Sequence, residues 1–406
     1  MARVLLLLPS ATYRAADFMA AAKALGVEVV VASDHRQTLA GVIGDRALRI
    51  DLRHPPSATE AIVAHSRRVP LDAVVAVDDQ GVSVAALAGA RLGVAANPPE
   101  AVAATRDKAA LRRALDAAGV AQPTFRVARP GDDVARLAVE VGVPCVVKPV
   151  SLSASRGVIR AEAPAEAATA AERVRAIVCE DEQDPPVLLV ESYVPGAEVA
   201  VEGLLRGGAL EVLAVFDKPD PMEGPYFEET LLVTPSRLPA PAQRAVVEAV
   251  RDATAAIGLV EGPVHAELRI RPDGGVAVLE LAARSIGGLC SRTLRFGMGV
   301  SLEEVILRHA LGRPVDALTS AFDASGVMML PIPRAGTLVA VRGQNAARAV
   351  PGVAGLEITV PRGRPVRPLP EGDRYLGFLF ARGETPAAVE RALRAAHGHL
   401  DVVIEP

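Results

Sequence analysis

Tryptophan is absent from this 406-residue chain, and aromatic residues of any kind make up only 3% of it. Its cores must therefore be aliphatic, built from Ala, Val and Leu. Cysteine occurs at 145, 179 and 290 alone, an odd number with no metal-ligand spacing. That excludes a disulfide framework and points to a reducing compartment. No apolar run reaches the ~18 residues of a membrane span. The run Val4–Leu8 is too short for a signal-peptide core and stops at Pro9-Ser10, as a buried parallel strand does. A soluble, cytoplasmic protein is expected. A net charge of −4 supplies no basic field for nucleic acid. The one dense basic run, Arg362 to Arg367, is broken by Pro and Gly and reads as a solvated loop. Also missing are GxxxxGK[ST] and a GxGxxG after a strand, so any phosphate site is built another way.

The length allows two to four domains. Over the first hundred residues apolar strands alternate with Ala-rich helical stretches, which implies a parallel sheet covered on both faces. Ligands sit at the carboxyl ends of such strands, which places Pro9 to Tyr13 and Asp78 to Gly81 there. Asp78 either caps the helix that follows or faces a ligand. Asn97-Pro98-Pro99 marks a boundary, after which Thr105 reads as the N-cap of a helix running to Ala118. A strand ends at Val146-Val147-Lys148-Pro149, a Ser-rich loop follows over Ser151 to Gly157, and Pro164 to Val178 is helical. Val199 to Leu205 and Leu210 to Phe216 pair about Gly207-Gly208, and a helix runs from Pro241 to Ile257. After Gly312-Arg313-Pro314 comes a unit of short strands and Pro/Gly turns.

Chemistry gathers at a hairpin. Apolar runs ending in Ile270 and beginning at Val276 flank Gly274-Gly275, and folding them together brings Glu267 near Glu280. Two strand carboxylates beside Arg284 make a seat for Mg²⁺, an ion that takes oxygen ligands and bridges carboxylates to phosphates. Lys148 emerges from a buried strand, a costly place for an ammonium without an anion. Hydroxyls and backbone N–H groups of the next loop can wrap oxyanions. A solvated strand-end lysine is the plain alternative, as a surface helix residue is for Lys108. Glu191 ends an apolar strand whose backbone can meet an adenine edge, and Glu198 can accept ribose hydroxyls; two solvated acids are the alternative. His265 shares the face of Glu267, as a site residue or a core-edge histidine. Glu228 and Glu229, in a Pro-rich loop, either pair a substrate ammonium or lie in a solvated insertion. Gly287 and Gly288, after Arg284, add no bulk and suggest a roomy pocket.

The ordered series of these residues resembles the ATP-grasp superfamily. The resemblance covers about residues 1–312 and, weakly, the rest. It implies an α/β and α+β multidomain fold: an N-terminal parallel α/β domain at 1–104, a two-subdomain ATP-grasp fold at 105–312 with a lid subdomain about 115–195, and a small C-terminal α+β domain at 313–406. Lys108 in Arg-Asp-Lys and Lys148 in Val-Val-Lys-Pro match the family's phosphate-contacting lysines. Ser153, Ser155 and Gly157 match its mobile loop. Glu191, Tyr193 and Val194 match the adenine hinge, and Glu198 the ribose acid. Glu267 and Glu280 match the metal ligands, and Arg284 the arginine near the transferred phosphoryl group and acyl substrate. The family's last motif is Glu-x-Asn-x-Arg, and here Ala282 stands in the Asn place. Glu-x-Ala-Ala-Arg with Gly262-Pro263-Val264-His265-Ala266-Glu267 is similar to the bacterial L-amino-acid ligase branch, typified by the bacilysin dipeptide synthetases. The implied activity is an ATP-dependent carboxylate–amine ligase working through an acyl phosphate, with ATP and one or two Mg²⁺ or Mn²⁺ ions. Alternatives are another ATP-grasp chemistry, purine-pathway or biotin-carboxylase-like, and a non-catalytic ATP-binding protein. Partners are small-molecule acids and amines, with neither nucleic acid nor membrane; homodimers are common in the superfamily.

Overall fold

The apolar run at the start of the chain becomes the centre of a parallel sheet. β1 (Arg3–Leu7) lies between β2 (Glu28–Ser33) and β4 (Ala73–Ala76), with β3 (Ala47–Arg49) outside β2. Its side chains alternate between two cores. Val4 and Leu6 belong with Phe18 of helix Ala15–Ala24, and Leu5 and Leu7 with Ile62 and Val84 from helices Pro55–Ser66 and Val82–Leu92. A strand buried on both faces needs an apolar residue at every position, which is why this run shows no alternation. The computed structural model describes residues 1–10, 12–35, 44–180, 186–315 and 318–406. Ala11, inside the expected Pro9 to Tyr13 turn, lies outside them.

A second, antiparallel sheet is formed by β5 (Phe125–Ala128), β6 (Cys145–Pro149), β7 (Ile159–Ala161) and β8 (Leu188–Ser192), in the order β5-β8-β6-β7. Helices Val134–Val141 and Pro164–Val178 share its core. The third sheet is the largest. β9 (Ala197–Arg206), β10 (Ala209–Asp217), β11 (Leu231–Thr234), β12 (Glu261–Ile270) and β13 (Val276–Ala282) enter it before the expected boundary at 312. A short ribbon, β14 (Arg295–Phe296) with β15 (Val300–Ser301), stands apart. β16 (Ala324–Leu330) then pairs antiparallel with β11, so the sheet continues across that boundary. Its order is β13-β12-β9-β10-β11-β16-β20-β18, with β18 (Val353–Ile358) at the edge and β20 (Gly377–Gly383) inside. β17 (Gly336–Arg342), β19 (Pro365–Val366) and β21 (Asp401–Glu405) make a small sheet of their own. No helix among the described residues is long and apolar enough to cross a membrane.

Two expectations about caps change. Thr105 falls inside a helix, Pro99–Arg106, and its hydroxyl donates to Val102 O at 2.7 Å. Asp107 caps the next helix, Lys108–Ala117, by accepting from the amides of Ala109 and Ala110 at 2.8 and 3.0 Å. A carboxylate within reach of two free amides displaces the weaker threonine signal. Asp78 occupies the N-cap position of the single turn Asp79–Gly81 but makes no side-chain capping bond. Helix Leu302–Ala310 carries a complete Ser301/Glu304 capping box that the sequence reading passed over.

Candidate active site

The Gly274-Gly275 turn closes as expected. Arg271 N donates to Gly275 O at 2.8 Å, and Gly274 takes φ +86°, a conformation that favours glycine. In the hairpin it joins, Glu267 of β12 stands opposite Glu280 of β13. One residue on, Leu268 pairs with Val278, so Leu279 is an extra residue in a β-bulge. Arg112 grips the bulge through Val278 O at 3.2 Å and Leu279 O at 2.6 Å. His265, Glu267 and Arg269 alternate along β12 and line one cleft together with Glu280.

Arg112 also reaches the second sheet. Its Nε donates to Glu191 Oε1 at 2.6 Å, and Lys148 Nζ lies 2.7 Å from Glu191 Oε2. Burial opposes ionisation of Glu191, but Arg112 and Lys148 outweigh it and hold the carboxyl down at about 2. Burial lowers the Lys148 ammonium, and Glu191 works against that. The Glu191 carboxylate thus supports Lys148, and only the backbone of this strand end is left to meet a base. Lys108 Nζ donates to Leu152 O at 2.7 Å and lies 3.4 Å from Glu280 Oε1, so it spans the Ser-rich loop and the hairpin. Ser153 and Ser155 of that loop line the cleft. Ala154 and Ser155 both sit at φ +55°, a left-handed conformation costly for residues with a side chain. Gly157 does not line the cleft: its amide donates to Pro370 O at 2.9 Å, and a Cβ there would meet the Pro149 ring at 3.3 Å.

Lys218 is a central site residue that sequence reasoning missed, as it did Arg112, Arg269 and Glu202. Its ammonium is buried and lies 2.7 Å from Glu198 Oε1 and 3.5 Å from Glu267 Oε2, with Glu229 a further direct partner. Burial opposes its charge, yet these three carboxylates keep it protonated far above the usual lysine range. For Glu267, burial acts upward, and Lys218 and His265 more than reverse it, so it stays ionised. Arg269 donates to Glu198 Oε2 at 2.9 Å and to Val194 O at 2.7 Å. Each Glu198 oxygen keeps a lone pair for a hydroxyl. Tyr193 stacks on Phe227, with centroids 6.3 Å apart, and lies under Arg160 and Arg269. Tyr193 and Val194 both line the cleft. Glu229 faces the cleft, whereas Glu228 lines a separate small cavity with Arg374 and Tyr375. A charged residue in a Pro-rich loop looks solvated in sequence; only the Glu198, Glu229 and Glu267 positions around it could have hinted otherwise.

The first sheet closes the far side. Arg284 Nε lies 3.1 Å from Asp79 Oδ1, and Arg106 pairs with the other Asp79 oxygen. Arg14, almost wholly buried, pairs with Glu303 at 2.9 Å and donates to Ser285 Oγ at 2.8 Å. Glu202 receives the Ile286 amide at 2.9 Å and His265 Nδ1 at 3.1 Å. Burial opposes the His265 charge, and Glu202 and Glu267 raise it to about 9. Gly287 and Gly288 both line the cleft, but Gly288 has no room for a side chain. A Cβ at Gly288 would fall 2.7 Å from Phe378 Cζ, and the residue sits at φ +59°. Gly287 is the open position, where a Cβ would meet only an Arg284 nitrogen at 3.9 Å.

Oxygen-rich donors make the hairpin end suitable for a hard divalent ion. Glu198, Glu229 and Glu267 each bring a carboxylate oxygen within 4.8 Å of the others, but Lys218 already compensates that triangle. Glu267 is the member of the triangle furthest from the Lys218 ammonium, at 3.5 Å, and it stands opposite Glu280, so these two are the residues that could hold such an ion.

Comparison with known proteins agrees with this layout. Residues 141–293 match the family description "ATP-grasp domain", 19–94 match "ATP-grasp N-terminal domain", and 328–405 match "L-amino acid ligase C-terminal domain 2". An uncharacterised protein of Sinorhizobium fredii is 28% identical over 312 residues, 76% of this chain and 63% of that protein. An alanine–anticapsin ligase of Bacillus subtilis is 26% identical over 265 residues, 61% of this chain and 56% of that enzyme. The chain therefore spans less than two thirds of the length of these relatives. The crystal structure of an L-amino acid ligase from Bacillus licheniformis shares the fold at TM-score 0.82 and 22% identity, covering 100% of this chain and 99% of that one. An ATP-grasp N-terminal domain, an ATP-grasp domain and an L-amino-acid-ligase C-terminal domain thus follow one another along this chain.

Proposed function

We propose that the protein is an ATP-dependent carboxylate–amine ligase that forms an amide through an acyl phosphate, using an amino acid or related small acid. The observation that carries this reading is one cleft in which Lys108 and Lys148 face Glu267, Glu280 and Arg284. Such a cleft suits phosphoryl transfer, which needs positioning and charge compensation more than covalent chemistry. Lys108 and Lys148 hold the phosphates, the Tyr193–Val194 backbone meets the base, and Glu198 the ribose. Mg²⁺, held by Glu267 and Glu280, supplies charge neutralisation on the triphosphate when bound. Ala282 has no ligand atom to offer, so Glu267 and Glu280 are the residues of this motif that would hold the ion.

A carboxylate oxygen of the acid attacks the γ-phosphorus and ADP leaves. The amine nitrogen then attacks the acyl carbon, phosphate departs, and the amine loses a proton. Arg284 holds the carboxylate with a planar fork that lysine lacks. Glu202 and Arg14 fix the loop behind it through Ile286 and Ser285. Ser153 and Ser155 cover the phosphates and keep water from the acyl phosphate. Mn²⁺ as a substitute ion, the homodimer and a cytoplasmic setting belong to this same reading.

Phosphate release from ATP and Mg²⁺ should be measured with each of the twenty amino acids, singly and in pairs. Release that needs a pair, with a product mass equal to the sum less water, supports the ligase. Bound ATP without turnover across acids and amines of every class refutes it.

A further inference from the structure

A chain with four tyrosines, eight phenylalanines and no tryptophan places five of those rings on one cleft: Tyr13, Tyr193, Phe227, Tyr375 and Phe378. They form two groups. Tyr193 and Phe227 stand beside Arg269 and Glu198, at the end assigned to the nucleoside. Tyr13 and Tyr375 both pack edge-on against Phe378, with centroids 5.8 and 6.2 Å away. Phe378 backs directly onto Gly288, so this second group walls the loop that follows Arg284. Ile286, Cys290, Met329 and Leu232, all buried, complete the wall.

The charges at this end are mostly spoken for. Asp373 and Arg374 hold each other through two contacts of 2.7 Å. Asp79 is shared between Arg106 and Arg284. Asp78, half-buried on the same rim, makes no side-chain hydrogen bond or ion pair among the described residues. A carboxylate kept in a cleft without a cation is suited to one brought by a ligand.

We propose that the activated acid is an α-amino acid with a bulky uncharged side chain, its carboxylate on Arg284, its ammonium on Asp78 and its side chain against Tyr13, Tyr375 and Phe378. This rests on the ligase reading and narrows it. A charged side chain would enter apolar surroundings with no free counter-charge, which is the strongest discrimination such a pocket offers. A small side chain leaves the aromatic wall uncovered and loses binding by degrees.

The test is ATP turnover by the full-length protein with leucine, methionine, phenylalanine, alanine, aspartate and lysine as acids, and with 4-methylpentanoate, which is leucine without its amine. Leucine, methionine or phenylalanine should lead, with aspartate and lysine at background. Asp78→Asn, nearly isosteric, should raise the KM for leucine about tenfold or more and leave that for 4-methylpentanoate unchanged. Equal use of charged and apolar acids, or an Asp78→Asn effect identical for both leucine and 4-methylpentanoate, overturns the assignment and leaves the ligase reading standing. No turnover with any acid and amine overturns both.

Discussion

Glu191 and Glu280 end strands in similar sequence settings, yet the structure gives them different work. Glu191 is sealed between Arg112 and Lys148, whereas Glu280 faces the cleft with Lys108 at its edge. Glu280→Gln should abolish turnover with thermal stability preserved, read by phosphate release alongside calorimetry. Glu191 matters to stability. Its folded pKa of about 2 lies below the ordinary 4.5, so its ion pairs contribute fully above about pH 4.5 and are lost as pH falls towards 2. In denaturant melts, wild type should exceed Glu191→Gln at pH 7, and the gap should shrink below pH 4.5. A gap that does not change with pH would contradict the pairing. The sequence pointed to Lys148, Glu267 and Glu280 because a charge at a strand position breaks an apolar pattern, and the structure brings all three to one cleft with Lys108 and Arg284. Lys218 was not legible, because its burial depends on three acids from β9, β12 and the loop before β11, far apart in sequence. Gly288 misled for a related reason: the ring that fills its space belongs to β20, ninety residues on.

The Ser-rich loop at the cleft is tied to the C-terminal segment. Gly157 N donates to Pro370 O, Arg173 meets Glu371 at 2.6 and 3.0 Å, and Arg367 meets Glu180 at 2.7 and 2.8 Å. Exposed pairs of this kind contribute little singly, about 0–1 kcal/mol each. Losing two together should loosen the cover without unfolding the protein. The double variant Arg173→Ala, Arg367→Ala should hydrolyse more ATP per amide formed, since water then reaches the acyl phosphate. An unchanged ratio would mean that the cover closes without this tie. Strands were read well from the sequence where they were long and apolar, as in β1, β6, β9 and β10. The joining of β16 to β11 was not readable, because pairing across a Pro/Gly-rich stretch leaves no local pattern. Asp107 was passed over as a cap because Thr105 offered the same signal two residues earlier. Asp107→Ala should cost about 1 kcal/mol, a lowered melting temperature being the readout.

Taken as a molecule, the protein builds its cleft from three sheets, and the parallel one contributes more than a platform. Arg14 crosses from it to Glu303 and Ser285, and Asp79 crosses to Arg284. Removing one partner of a buried pair leaves an uncompensated charge, so Arg14→Ala should cost about 3–5 kcal/mol. It should also weaken the acid substrate, because Ser285 and Ile286 follow Arg284 directly. The alternation of strands and helices anticipated the parallel sheet, and composition the aliphatic cores. Composition could not show that the few aromatic rings would collect on the cleft, since that depends on Tyr13 and Phe378 meeting across the whole chain.

The central claim is that a carboxylate takes the γ-phosphoryl group of ATP before an amine attacks it. The direct measurement is single-substrate isotope transfer: the acid labelled with ¹⁸O in both carboxylate oxygens, ATP, Mg²⁺ and an accepting amine, with the released phosphate analysed by mass spectrometry. One ¹⁸O per phosphate, and one retained in the amide, is the expected result. Unlabelled phosphate released alongside amide would contradict the acyl-phosphate route and with it the roles given to Arg284, Lys108 and Lys148.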